Sequence, residues 1–322
     1  MEAAKASNFQ LREVDRLELI SLVDNSLDFL STVNRREVQS YWQWTKPRNE
    51  HSEMPFAEHG FSMLLRVFNG GKSESLLFDT GGSPRVIIDN SRIMGLDLSE
   101  VGFVVLSHGH YDHFGGLLSV VEAVGKTGLP LIVHEDMFKT RGSASRDGKV
   151  RNFPDFPVQT KLKSAQLIFN RQPLLVADGQ VCVTGEIPRV TSFENGLMQH
   201  QILVNGSWQP DPLIVDDRAI VLNVKNKGLV ILSGCAHAGI INTINYAKQV
   251  TGVEAVYAVM GGFHLAGRGF ESKIAPTLAE LTRINPVLIA PMHCTGWRAI
   301  AVIHREFPDA FVWNSVGNMY KL

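Results

Sequence analysis

Along the chain, short apolar runs recur, and most of them stop at a polar residue. Leu17–Val23, Phe61–Phe68, Ser75–Phe78, Phe103–Leu106 and Leu129–Val133 form a first set. Val181–Thr184, Ala219–Val224, Leu229–Ser233, Val253–Met260, Val287–Ala290 and Ala310–Trp313 form a second. Runs of this length bounded by turn residues predict buried strands, and Lys225-Asn226-Lys227-Gly228 joins two of them as a hairpin. Leu117–Val124, Ile240–Val250, Ile274–Thr282 and Trp297–Phe307 read as helices. Strands alternating with helices predict an α/β fold in which helices are layered over sheet. The residues just past the strands are Asp24-Asn25-Ser26, Asp79, His108, His134, His237, His264 and His293. Polar residues gathered at so many strand ends predict one shared site.

The densest stretch is Ser107-His108-Gly109-His110-Tyr111-Asp112-His113-Phe114-Gly115-Gly116. Imidazole nitrogen and carboxylate oxygen bind zinc, iron and manganese, and a rigid strand end can hold them at bonding distance. The spacing lets His108 and His110 face one point and Asp112 and His113 a second, so two adjacent divalent ions are expected. Gly261-Gly262 permits close backbone approach and would bring His264 over such ions. His264 is therefore the candidate proton donor to a leaving group, and Asp112 a candidate for orienting the attacking water as well as a ligand.

Other segments are less regular. Residues 35–60, with Tyr41, Trp42 and Trp44, have no clean period and read as a lid-like insertion, or else as satellite core packing. That loop ends at His59, a candidate substrate contact. A second insertion is expected at about 138–170. Its basic stretch Arg141–Arg151 is either a solvated loop or, with Arg189, a binding place for a phosphate or carboxylate. His134 after an apolar run is a core histidine or a site residue, and the residues alone leave both open.

Composition narrows the class. The 322 residues carry a formal net charge of −1, which gives no global field toward nucleic acid or an anionic membrane. Three cysteines without a CxxC pair are no disulfide framework and fit a reducing compartment. The N-terminal M-E-A-A-K-A-S-N-F-Q lacks a basic segment leading into an apolar run, and no apolar stretch is long enough to cross a bilayer. A cytoplasmic protein with no nucleic-acid or membrane partner is expected, its oligomeric state left open.

The His108-x-His110-x-Asp112-His113 motif resembles the signature of the metallo-β-lactamase-fold superfamily, and the resemblance covers roughly residues 17–318. It implies a four-layer αββα sandwich forming a single domain over 1–322, and a metal-dependent hydrolase or group-transfer enzyme. The ions it implies are two, zinc first, with manganese or iron as alternatives. The resemblance implies His293 as a ligand closing the second metal position, and Asp79 as a ligand or a support beside the metals. Relatives carry Gly-Asp where this chain has Gly234-Cys235, so Cys235 or His237 would replace the missing ligand. Relatives also carry a metal-binding histidine near Gly185–Arg189. This chain offers Glu186 and Arg189 there, which become substrate-binding candidates.

Val-Asp-Asn-Ser, Ala-Glu-His-Gly-Phe-Ser, Gly-Glu-Ile-Pro-Arg, Ser-Gly-Cys-Ala-His-Ala-Gly-Ile and Met-Gly-Gly-Phe-His-Leu together resemble one subgroup. It is the group of dihydropterin–ribofuranosylaminobenzene phosphate synthases of methanopterin biosynthesis. That implies a small anionic substrate and C–N bond formation with loss of pyrophosphate. The alternatives are a non-haem di-iron redox protein, which would need a flavin domain the chain has no room for, and a nucleic-acid-processing hydrolase, which the near-zero charge disfavours.

Overall fold

The computed structural model describes residues 9–33, 35–45 and 53–322. Its core is built by strands that are apolar on both faces. In Arg16–Val23, Leu17 and Leu19 point one way into one buried cluster, while Ile20 and Leu22 point the other way into a second. The same alternation separates Leu76 and Phe78 from Leu77, Phe103 and Val105 from Val104, and Val230 and Leu232 from Leu229 and Ile231. A strand covered on both faces reads as a continuous apolar run, which is why these strands stand out in the sequence.

The strands assemble into two large sheets. The first runs, in spatial order, Ala165–Phe169, Leu129–Val133, Val101–Val105, Lys72–Phe78, Ser62–Asn69, Arg16–Val23, Met319–Lys321 and Val38–Gln39. The second runs Leu174–Val176, Val181–Val183, Ala219–Val224, Gly228–Ser233, Val256–Gly262 and Leu288–Met292, with Glu13–Val14 paired to Ala219–Val224. One cluster holds inward residues of both sheets, so the sheets face each other across it. Helices Pro84–Ile93 and Leu117–Val124 cover the outside of the first sheet, and Ile240–Thr251, Ile274–Ile284 and Trp297–Glu306 the outside of the second. This is the expected αββα layering.

Several expectations are corrected. The expected strand Ala310–Trp313 is reduced to an isolated bridge between Phe311 and Ile289, and the closing strand is Met319–Lys321 beside Arg16–Val23. Pairing between the two ends of a chain leaves no local signal. The strand expected at Val253–Met260 lies at Val256–Gly262 and runs through its glycine pair to the site.

The expected insertion at 138–170 is not one loop. Arg141–Ala144 and Val150–Asn152 pair with His200–Val204 and Ser207–Pro210 in a separate four-stranded sheet, while Ala165–Phe169 is the edge of the first large sheet. Neither is Arg141–Arg151 a solvated loop throughout, because Arg141 is buried and paired with Asp216 at 2.7 Å. In the other expected lid, Tyr41 is buried and Trp44 donates to the Gly317 carbonyl, so both pack against the body. Residues 46–52 of that segment, and residues 1–8, lie outside the described residues. Among the described residues no helix is long and apolar enough to cross a membrane.

Candidate metal centre

Strand ends of both sheets meet at one edge of the sandwich, and backbone strain marks the spot. Asp79, Ala236, His264 and His293 all have positive φ, between 45° and 62°. Left-handed backbone at a residue with a side chain costs about 1–3 kcal/mol and persists only where its surroundings enforce it. Here it turns the chain sharply off each strand, so that the next side chains face inward. Gly234 provides the close approach: a Cβ there would sit 2.2 Å from the Ser107 hydroxyl.

Three imidazoles converge first. His108 Nε2 is 2.9 Å from His110 Nδ1, and His237 Nε2 is 3.1 Å from both. Burial, reinforced by the neighbouring cationic groups, pushes all three well below the usual imidazole range, so they are neutral. Three neutral rings cannot satisfy one another pairwise around such a triangle. Nitrogens on a tetrahedral zinc ion at 2.0–2.1 Å stand roughly 3.3 Å apart, close to what is seen here.

A second group lies beside the first. Asp112 Oδ2 is 3.3 Å from His293 Nε2 and 3.3 Å from His59 Nε2. His113 Nε2 is 3.1 Å from Cys235 Sγ. The Cys235 sulfur falls within ligand spacing of both groups, with His108 and His237 on one side and His113 and His293 on the other. Burial pushes the Asp112 carboxyl up, but His113, His293 and His59 outweigh it and hold the group well below the usual carboxylate range.

The outer nitrogens of His108, His113 and His293 are held as metal ligands require, whereas His110 Nε2 and His237 Nδ1 have no hydrogen-bond partner. Ser107 Oγ donates to Asp79 Oδ2 at 2.7 Å and accepts from His108 Nδ1 at 2.9 Å, leaving His108 Nε2 bare. His113 Nδ1 donates to Asp79 Oδ2 at 2.6 Å, and His293 Nδ1 to Asn25 Oδ1 at 3.1 Å. Each contact occupies the outer nitrogen and turns the inner one toward the cluster, where an arriving metal ion would displace any proton it carries. Among the described residues, the donor set and its supports fit divalent ions.

The structure thus brings together His108, His110, Asp112, His113, His237, His293 and Cys235, and places Asp79 behind His113 rather than among the candidate ligand groups. His59 stacks on His293 at 4.9 Å between ring centroids, and His264 packs tilted against His237 at 4.3 Å. Glu186 and Arg189 are engaged elsewhere. Glu186 binds His134 Nε2 at 3.1 Å and Arg171 at 2.7 Å, and Arg189 donates to the carbonyls of Ile187, Leu213 and Ile214. His134 also caps the turn at Asp136, so it serves the fold.

Three supports escaped the sequence reading. His200, from the four-stranded sheet, packs on His110 at 5.1 Å and donates from Nδ1 to the Asp211 carbonyl. Asp216 accepts from the Gly109 amide at 2.8 Å and fixes the loop between His108 and His110. Arg218, fully buried, donates to the carbonyls of Leu106, Ile132 and Val133 at the ends of two strands. The one available signal was the charged run Asp216-Asp217-Arg218 set directly against an apolar strand.

The family model of the metallo-beta-lactamase superfamily matches residues 56–177. The 7,8-dihydropterin-6-methyl-4-(beta-D-ribofuranosyl)-aminobenzene-5'-phosphate synthase of Methanocaldococcus jannaschii is 29% identical over 276 residues, 83% of this chain and 91% of that protein. The uncharacterized protein MJ0448 of the same organism is 30% identical over 268 residues, 82% of this chain and 93% of that protein. Among solved structures, Tm1679, described as a metal-dependent hydrolase of the beta-lactamase superfamily, superposes with a TM-score of 0.71 at 25% identity, over 95% of this chain and 98% of that one.

Proposed function

The chain belongs to the metallo-beta-lactamase superfamily, and from that membership we propose a metal-dependent enzyme that hydrolyses, or transfers a group from, a small anionic substrate. The observation that carries this reading is the convergence of three neutral imidazole nitrogens beside a carboxylate–imidazole group, with one sulfur within reach of both. His108, His110 and His237 would hold one divalent ion, and Asp112, His113 and His293 a second, with Cys235 available to either. Imidazole with thiolate suits zinc, and iron or manganese would rely more on the carboxylate. Such ions supply Lewis acidity toward a phosphoryl or carbonyl oxygen and lower the pKa of water.

The remaining chemistry falls to the chain. Asp112, held ionised, orients the attacking group through a carboxylate oxygen. His59 is more than half exposed, and its hydrogen bond to Asp112 raises its pKa, so it can present a cation to a substrate phosphate or carboxylate. His264, part-exposed and braced between His237 and Phe270, carries a proton for the leaving group. The end of the strand Val150–Asn152 supports the anionic preference: Phe153, just past it, packs on His110 at 5.5 Å, and the Arg151 guanidinium lies 5.6 Å from the Phe153 ring.

The relative named as a synthase supports a specialisation in C–N coupling, and the structure described as a hydrolase supports plain hydrolysis. Both are tested on one preparation. Elemental analysis of protein purified without added metal should find divalent metal, which His110→Ala should lose while remaining folded. Incubation with a dihydropterin pyrophosphate and an aminobenzene riboside phosphate should release pyrophosphate. Phosphodiester or lactone cleavage without coupling selects hydrolysis, and a metal-free folded protein with neither activity overturns the reading.

A further inference from the structure

Of the three cysteines, Cys182 is buried in the second sheet, but Cys235 and Cys294, 59 residues apart, meet at the site. Cys294 Sγ lies 3.5 Å from the Cys235 carbonyl, and the two sulfurs are within 4.8 Å of each other. Both sulfurs and a ring nitrogen of His264 fall within 4.8 Å of one another. The space between the thiols depends on Gly262. A Cβ there would sit 2.7 Å from Cys294 Sγ and 3.2 Å from Cys235 Cα, so no larger residue could end that strand without separating them. The two residues also differ in exposure, since Cys294 is part-exposed and Cys235 is buried.

We propose that Cys294 and Cys235 form an oxidation site for a small peroxide, with Cys294 as the reacting thiol and Cys235 as the resolving one. An accessible thiol beside a second, sheltered thiol is the arrangement that converts a sulfenic acid into a disulfide. The Cys294 sulfur attacks the peroxide, the O–O bond breaks, and a sulfenic acid and water result. The Cys235 sulfur then attacks the Cys294 sulfur, the S–O bond breaks, and a second water leaves. Two thiols and one hydrogen peroxide thus give one disulfide and two waters, the thiols losing the two electrons that the peroxide gains.

The consequence is specific to this centre. The Cys235 sulfur lies within ligand spacing of both candidate metal groups. A sulfur in the Cys235–Cys294 disulfide is no longer a thiolate donor, so the disulfide and metal ligation by Cys235 exclude each other. Sequence distance hides the pair, because neither Ser-Gly-Cys-Ala-His nor Met-His-Cys-Thr-Gly has a CxxC spacing.

The test uses the full chain, both chelated and metal-loaded, treated with hydrogen peroxide and then with a thiol-blocking reagent. Non-reducing mass spectrometry of the chelated protein should show the loss of two hydrogens and a linked peptide pair containing Cys235 and Cys294, with Cys182 still blocked as a free thiol. Dithiothreitol should reverse the link. In the metal-loaded protein, linking should be slower and accompanied by metal release in proportion to the disulfide formed. Cys294→Ser should abolish the link and keep its metal under peroxide.

Oxidation of Cys294 to sulfinic acid with Cys235 still free would overturn the proposal, as would no reaction in the chelated protein. A third bound ion that shields both thiols would overturn it in favour of a Cys235–His264–Cys294 metal position. Should Cys294→Ser not fold, peptide mapping of the unaltered chain decides alone. The link needs no metal in the centre, so its formation in a protein that binds none would uphold this inference while removing the enzymatic reading.

Discussion

Asp79 shows how one side chain outside the candidate ligand set governs the centre. Its carboxylate accepts the Ser107 amide at 2.6 Å, the Ser107 hydroxyl, and His113 Nδ1. Asp79→Asn would turn an amide donor toward His113 Nδ1, force that ring's proton onto Nε2, and aim it at the cluster. We expect roughly 10–100-fold weaker metal binding, the range typical for losing such a support. Competition with a chromophoric chelator measures it, and unchanged affinity would remove Asp79 from this role. The same pair gives the metal-free protein a pH signature. Burial pushes His113 down, but Asp79 outweighs it and holds the ring at about 9. The folded value lies above the unfolded value of about 6.5, so the pair's stabilisation is full below about pH 6.5 and is lost as pH rises through about 9. Urea midpoints of chelated protein should therefore fall across that window, and fall less in Asp79→Asn. A flat profile in the unaltered protein would count against an imidazolium at His113.

The element that most needs explaining is the four-stranded sheet, whose role the sequence hid. Its strands are short and lie in the polar, Gly/Ser-containing stretch Arg141–Arg151 and in the partly exposed runs His200–Val204 and Ser207–Pro210, which carry no long apolar run. Yet Arg141 is fully buried, pairs with Asp216, and donates to the Asp136 carbonyl. Asp216 in turn holds the Gly109 amide, so this sheet is tied to the loop carrying His108 and His110. Arg141→Met should leave an uncompensated buried carboxylate and cost about 3–5 kcal/mol, read as a lowered denaturation midpoint. A loss of only a few tenths would mean that water reaches Asp216. Strands of the two large sheets were legible because burial on both faces makes them continuously apolar. The candidate ligands stood out because they follow those strands directly. What was not legible depends on partners far away in sequence: Arg141 with Asp216, Asn25 with His293, and His200 with His110. Glu186 and Arg189, expected near a substrate, are bonded to His134 and Arg171 and to the carbonyls of Ile187, Leu213 and Ile214, partners that a charge at a strand end does not disclose.

At the scale of the whole molecule, the candidate ligands are divided between the two sheets. His108, His110, Asp112 and His113 follow a strand of the first, whereas Cys235, His237 and His293 follow strands of the second. The sheets otherwise meet through apolar packing, and the site edge gathers buried imidazoles and carboxylates that favour opening unless something holds them. Ions bound there would clip the sheets together and bind the folded chain alone, so their free energy adds to stability. One ion at a hundred times its dissociation constant contributes about 2.7 kcal/mol, or roughly 4 °C in midpoint for a chain of this size. Chelation should therefore lower the thermal midpoint by at least about that much, and added zinc should restore it. His108→Ala and His237→Ala, one on each sheet, should each remove the zinc-dependent part of the midpoint while changing the chelated protein little. Should only one of them do so, the clip would belong to a single sheet and the two-sheet account would fail. A midpoint indifferent to chelator and zinc alike would mean that the converging nitrogens hold no ion at all.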